Sequence, residues 1–207
     1  MANRKTKLGT DDPLWDHFIN RPPADPKNDL APVILDARGG ATYPAKTEVD
    51  DPAEMSRNIK QLAKWWGADL IGITTLDSAQ MNSPEVSDSS VVENPESDAS
   101  SSSGSPYRFA LVCALGADYD PATAKGLGGQ VVMQNGAIVI HYLRSYLREL
   151  GYRAAIGGAD PVEIAIKAGL GRRDSGGRFV SSLKRLHVQV FDPVLTDMPL
   201  APDPLPK

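Results

Sequence analysis

Residues 51–75, DPAEMSRNIKQLAKWWGADLIGITT, contain a complete helix followed by a strand, and this pair decides the fold class. Asp51 and Glu54 form a capping box around a proline that favours the first position of a helix. Apolar residues then recur on one helical face, and Gly67 ends the helix. Residues 69–75 have the apolar character of a short buried strand.

The rest of the chain repeats this alternation of strands and helices. Residues 107–115, YRFALVCAL, predict a strand covered on both faces, and a long helix follows it. A third strand, 152–156, leads to Asp160, which predicts the N-cap of another helix. A pair of strands is predicted around 178–182 and 186–194. The order indicates an α/β fold with a mixed sheet flanked by helices.

Residues 77–106 have a different composition from the rest of the chain. They include 11 serines and six acidic residues but neither Lys nor Arg. A segment with few apolar residues and charge of one sign cannot offset the entropy of ordering, so it predicts a disordered loop inside the domain. Without its six acidic residues, the formal net charge of −4 becomes +2. This near-neutral balance favours neither a nucleic-acid partner nor an acidic binding surface.

The chain is expected to form one domain with irregular ends. We predict an extended N-terminal arm over 1–50, the domain over 51–200 and a proline-rich tail over 201–207. No apolar stretch approaches the roughly 20 residues of a membrane-spanning helix, and no signal sequence is recognisable. We therefore expect a cytoplasmic protein with no membrane partner. The single cysteine, Cys113, excludes an intramolecular disulfide and an iron–sulfur cluster held by this chain alone.

Two glycine clusters are candidate ligand-binding turns, because glycine lets backbone N–H groups approach a ligand closely. The first precedes the long helix and the second surrounds the sequence RRDS; they comprise Gly126, Gly128 and Gly129, and Gly169, Gly171, Gly176 and Gly177. Neither cluster fits a dinucleotide-binding or P-loop motif. The three histidines lack metal-ligand spacing. The residues alone therefore predict a glycine-lined domain without an assigned reaction.

Several segments together resemble the cobalamin-binding part of reductive dehalogenases, a family related to the epoxyqueuosine reductases. They occur in the family's order at residues 51–74, 107–120, 141–155, 163–171 and 194–206. The most specific match combines AGLG at 168–171 with LTDMPLAPD at 195–203. The resemblance implies a nitroreductase-like α/β fold that holds a corrinoid in its base-off form, with no protein ligand to cobalt.

The resemblance also implies that the residues of catalysis are missing. The family's tyrosine proton donor corresponds to Met133, and the arginine that supports it corresponds to Ser175. The cysteine motifs of the family follow the P-L-x-P-D segment, and this sequence ends at Lys207 before any such motif. We therefore expect no catalytic residue, no metal ligand and no iron–sulfur cluster. Electrons would come from a separate iron–sulfur or ferredoxin-like protein. Asp160 is interpreted as a helix cap, not as the catalytic aspartate of epoxyqueuosine reductases.

The glycines that would lie against a corrinoid remain. The resemblance implies that the cobalamin-binding residues are Gly169, Leu170, Gly171, Ser175, Gly176, Gly177 and Met133. Arg172, Arg173 and Arg178 add positive charge that the family usually lacks here. The alternatives for these side chains are contact with corrin amides, with the nucleotide-loop phosphate or with a partner subunit, or exposure to solvent alone.

Two other functions stay open at this point. One is a non-catalytic interaction or regulatory subunit that kept the fold and lost cofactor binding. The other is a flavin-binding protein of the nitroreductase type. Nitroreductase relatives dimerise, so the analogy also predicts a homodimer.

Overall fold

The computed structural model describes residues 17, 19–20, 25–37, 40–77, 106–181, 183 and 187–204. Its helices are α1 (Ala31–Asp36), α2 (Pro52–Trp66), α3 (Gly128–Glu149) and α4 (Pro161–Lys167), with a 3₁₀ turn at Pro26–Asn28. Its strands are β1 (Leu70–Thr75), β2 (Phe109–Ala117), β3 (Ala154–Ile156), β4 (Gly171–Arg173), β5 (Phe179–Ser181), β6 (His187–Val190) and β7 (Val194–Thr196). The predicted disordered loop, 77–106, lies outside the described residues except for its first and last residue. The predicted domain bounds stay a prediction.

The helix and strand that open the domain form where the sequence predicts them. The Asp51 carboxylate accepts hydrogen bonds from the N–H groups of Ala53 and Glu54, at 2.8 and 3.1 Å. These bonds confirm the predicted N-cap, and they are the main reason that the pKa of Asp51 lies below its ordinary value. The N–H of Gly67 donates to carbonyls of the last turn of α2, which ends there.

A five-stranded sheet forms the centre of the described domain. β1 pairs with β2 on one side, while β7 and β6 pair with successive parts of β2 on the other. β3 lies beyond β7. Each of the described pairs is antiparallel, so the predicted mixed sheet is wrong.

β7 explains why the mixed sheet does not form. A strand–helix–strand unit such as β2–α3–β3 predicts two parallel strands side by side. β2 and β3 do run in the same direction, but β7 lies between them and is antiparallel to both. The predicted strand pair near the C-terminal end is also wrong, because β5 pairs with β4 and β6 pairs with β2.

The sheet separates two hydrophobic layers. On one face, Leu111, Cys113 and Leu115 of β2 pack under α2 and α3. On the other face, Val112 and Ala114 of β2 pack under α4. This alternation confirms that β2 is covered on both faces, as its nearly unbroken apolar sequence predicts.

The described residues between 19 and 47, called the arm below, make contacts along the length of α3. Backbone carbonyls of Ile19 and Ala37 accept hydrogen bonds from Gly126 N at 2.9 Å and from Arg144 Nη2 at 2.7 Å. Further along, Thr47 N donates to the Leu150 carbonyl at 2.9 Å. Partners therefore advance along the arm and α3 together, so the two run in parallel.

Among the described residues, no helix is both long and apolar enough to cross a membrane.

Candidate functional site

The predicted N-cap at Asp160 begins the helix that leads to the second glycine cluster. The Asp160 carboxylate accepts hydrogen bonds from the N–H groups of Val162 and Glu163, at 2.8 and 3.1 Å. This geometry confirms Asp160 as a helix cap, because it satisfies donors that the first turn of α4 leaves unpaired.

The AGLG turn follows α4 directly and packs against β1 of the sheet. Gly169 has φ +72°, a left-handed conformation that glycine adopts without steric cost, and its N–H donates to the Ile166 carbonyl at 2.9 Å. The half-buried Leu170 side chain packs over Gly72 of β1, where an added Cβ would lie 3.0 Å from Leu170 Cδ2. The turn therefore has one fixed place on the sheet.

A short hairpin, β4–β5, carries the rest of the second glycine cluster; we call residues 169–181 the glycine hairpin. Its strands approach closely, since a Cβ on Gly171 would lie 2.4 Å from the Val180 carbonyl oxygen. At the tip, the Asp174 carboxylate accepts hydrogen bonds from Gly176 N and Arg178 N, both at 2.9 Å. These bonds, that from Arg178 N first, hold the pKa of Asp174 below its ordinary value.

The tip of the glycine hairpin leaves backbone uncovered. Gly177 has φ +79°, and no heavy atom of the described structure lies within 4 Å of a Cβ built there. A Cβ on Gly176 would meet only ordinary contacts, the nearest being Asp174 Oδ1 at 3.4 Å. Ser175, which directly precedes these two glycines, is exposed as well. The tip thus leaves room for a flat ligand to lie against the backbone, which fits the group that the resemblance implies.

The first glycine cluster makes close packing contacts. A Cβ on Gly128 would lie 2.8 Å from Ile19 Cγ2, and a Cβ on Gly129 would lie 3.0 Å from the Ala124 carbonyl oxygen. Gly126 N donates to the Ile19 carbonyl. The arm therefore fills the space beside Gly128, and the loop before α3 fills the space beside Gly129.

The structure brings six of the seven predicted cobalamin-binding residues together in the glycine hairpin, and leaves one apart. Met133 lies on α3, in the layer on the opposite side of the sheet from α4. Its side chain is 39% exposed. A thioether has no proton to donate, so Met133 cannot act as an acid wherever a ligand binds.

The TDMPLAPD landmark is explained by structural contacts. Asp197 accepts a hydrogen bond from Arg153 N at 2.8 Å, which ties the end of β7 to the beginning of β3. Asp203 accepts from Ile73 N of β1 at 2.8 Å and pairs with Lys60 of α2. Residues of this landmark therefore stabilise the sheet, and the sequence gives no signal that separates this role from ligand binding.

Two further side chains with reactive groups, Cys113 and Tyr119, lie in or against the packed interior of the described structure. Cys113 is wholly buried, and burial raises the pKa of its thiol to about 12, so it is an unreactive core residue. The Tyr119 hydroxyl donates to the Gly128 carbonyl at 3.1 Å, and burial raises its pKa. No group of three or more His, Cys, Asp or Glu side chains in the described part of the chain is placed to hold a metal ion.

Comparison with known proteins gives a match in structure only. No family model matches the chain, and no curated protein sequence matches it significantly. The catabolic reductive dehalogenase NpRdhA in complex with 3-bromo-4-hydroxybenzoic acid matches with TM-score 0.66 and 22% identity, over 91% of this chain and 27% of that one. A structure described as suggesting a mechanism for B12-dependent dehalogenation matches with TM-score 0.64 over the same shares.

A selenomethionine-labelled epoxyqueuosine reductase is less similar, with TM-score 0.48 and 14% identity over 74% of this chain and 48% of that one. The chain spans about a quarter of the length of the dehalogenases that it matches. The structural match confirms, at the level of the fold, the resemblance to reductive dehalogenases seen in the sequence.

Proposed function

We propose that the chain is a corrinoid-binding module of the reductive dehalogenase type, which binds cobalamin in the base-off form. The observation that carries the proposal is the fold, because 91% of the chain superposes on a protein described as performing B12-dependent dehalogenation. A nitroreductase-like classification of this fold is part of the same proposal.

The glycine hairpin is the part of the chain that would hold the ligand. Its AGLG turn is fixed to β1, while the backbone at Gly176 and Gly177 is uncovered. Corrinoids are flat, so a backbone without side chains would let one approach closely, although the N–H groups of Gly176 and Gly177 already bond within the glycine hairpin. A bound corrinoid would supply a cobalt centre that accepts and transfers electrons.

Protons and electrons for any reaction would come from outside this chain. By the resemblance in sequence, Met133 and Ser175 correspond to the family's tyrosine and its supporting arginine, although the structure leaves Met133 apart from the glycine hairpin. The one cysteine, Cys113, is buried in the core, and a cluster requires several cysteine ligands. We therefore propose a separate iron–sulfur or ferredoxin-like protein as the reductant. A cytoplasmic location and a homodimer remain predictions.

The test is a titration of the purified protein with hydroxocobalamin under reducing conditions. We expect the visible spectrum to shift to that of the base-off form and the corrinoid to elute with the protein on gel filtration. Unchanged spectra together with free corrinoid in the small-molecule fractions would refute the proposal.

The second candidate is a non-catalytic interaction subunit without a cofactor. The position of Met133 supports it, because this predicted cobalamin-binding residue lies apart from the other six. Under this candidate the titration shows no corrinoid binding, and affinity capture with the intact protein retains a defined protein partner. A flavin-binding protein would instead be yellow when purified.

A further inference from the structure

The glycine hairpin carries three arginines, and the structure separates one of them from the other two. Arg173 donates to the Glu163 carboxylate at 2.8 and 3.0 Å and to the Gly177 carbonyl at 3.1 Å. Arg178 pairs with the Asp174 carboxylate at 3.0 Å. The guanidinium of Arg172 makes no hydrogen bond or ion pair with any residue that the structure describes.

The strand register places Arg172 on the outer face of the glycine hairpin. Side chains alternate along a strand, so Arg173 and its partner Phe179 face α4, where Phe179 packs on the second hydrophobic layer. Arg172 and its partner Val180 face the other way. Val180 is 40% exposed, so an apolar side chain and a cation lie side by side on an uncovered face.

The charge of the hairpin is balanced except at this position. Glu163 compensates Arg173, and Asp174 compensates Arg178. The remaining positive charge is that of Arg172, on β4, the strand that leads to the tip with Gly176 and Gly177. A guanidinium with free donors beside an apolar side chain suits a ligand that combines an oxyanion with apolar surface.

We infer that Arg172 binds the phosphodiester of the corrinoid's nucleotide loop, with Val180 against the apolar part of that loop. This inference rests on the proposed function. In a base-off corrinoid the nucleotide base would not bind cobalt, so the phosphate of the loop would be available to a side chain of the protein. Two guanidinium N–H groups can donate to two phosphate oxygens in parallel.

The experiment compares two corrinoids that differ in this group. Cobalamin carries the nucleotide loop, whereas cobinamide lacks both the loop and its phosphodiester. We expect Arg172→Gln to weaken cobalamin binding roughly tenfold to a hundredfold, the range for a hydrogen bond to a charged group, and to leave cobinamide binding unchanged. The loss should shrink at high salt, because ions screen exposed charges.

Arg57→Gln is the control, since it removes the same charge from an exposed arginine of α2, outside the glycine hairpin. We expect it to leave the affinity for both corrinoids unchanged. Equal weakening of cobalamin and cobinamide by Arg172→Gln, or no weakening of either, overturns the inference while the proposed function stands. Failure of the unmodified protein to bind either corrinoid overturns both.

Discussion

Gly136 marks the closest approach between α3 and the segment that follows β6. A Cβ built on Gly136 would lie 2.0 Å from Phe191 Cζ, and both residues are buried. Helix propensity alone favours alanine over glycine in a helix. Packing decides the outcome here, because neither the helix nor the ring can move without disturbing the first hydrophobic layer.

We therefore predict that Gly136→Ala lowers the free energy of unfolding by about 1–3 kcal/mol, the usual cost of overpacking a core. Gly40→Ala is the control, since no heavy atom lies within 4 Å of a Cβ at that position. Urea unfolding measures both. A Gly136→Ala protein as stable as the control would show that α3 and Phe191 are not this close.

His141 couples the stability of the protein to pH. Burial, followed by the charges of Arg144 and Arg148, lowers its pKa from the ordinary value of 6.5. Its Nδ1 lies 2.9 Å from Arg144 Nη2, which also donates to the Ala37 carbonyl of the arm. The neutral ring is thus the form that suits the folded protein.

The unfolded chain binds a proton at His141 more readily than the folded one, so this contribution is complete above pH 6.5 and is lost as the pH falls below it. We predict that acidification from about pH 7.5 to 5.5 destabilises the unmodified protein more than the His141→Gln protein. Urea midpoints at several pH values measure the difference. Identical losses in the two proteins would contradict this assignment.

At the scale of elements, the segment after β7 makes hydrogen bonds to β1, in addition to those that β1 makes with β2. Ile73 N donates to the Asp203 carboxylate and the Ile73 carbonyl accepts from Asp203 N, both at 2.8 Å. Lys60 of α2 pairs with the same carboxylate. One aspartate therefore connects a helix, a strand and the segment at 197–203.

We predict that Asp203→Asn lowers the free energy of unfolding by about 1 kcal/mol, because the amide keeps an acceptor for Ile73 N but loses the charge opposite Lys60. Asp77→Asn, which removes a charge opposite Lys167 at a more exposed site, should change it by less than about 0.5 kcal/mol. Equal effects of the two variants in chemical unfolding would argue against a special role for Asp203.

The elements also show how far the sequence predicts the structure. α2, β1, β2, α3 and α4 are predicted because caps, periodicity and apolar runs are local signals. The place of β7 is not, since three residues near a run of prolines carry little strand signal and their pairing is non-local. A turn at the second glycine cluster follows from its glycines, but β4 and its pairing with β5 are not predicted. The packing role of Gly128 depends on Ile19, which is distant in sequence.

At the scale of the whole molecule, a ligand that binds only the folded protein raises its stability. With free hydroxocobalamin at a hundredfold excess over its dissociation constant, we predict about 2.7 kcal/mol of added stability and a higher thermal midpoint. Gly176→Leu should abolish this gain, because the side chain would occupy the uncovered tip of the glycine hairpin.

The same variant should leave the ligand-free midpoint nearly unchanged, since a Cβ on Gly176 meets only ordinary contacts. Differential scanning fluorimetry with and without corrinoid measures both quantities. A midpoint that rises equally in the two proteins would place the ligand elsewhere.

The position of β7 has a consequence for synthesis on the ribosome. β2 and β3 emerge early, yet neither can pair with the strand between them until residues 194–196 have been translated. Until then two strand edges have open hydrogen-bonding groups, which is the condition under which nascent chains associate wrongly. We expect β2 and β3 to join into one sheet only after residues 194–196 have left the ribosome, because β7 pairs with both of them.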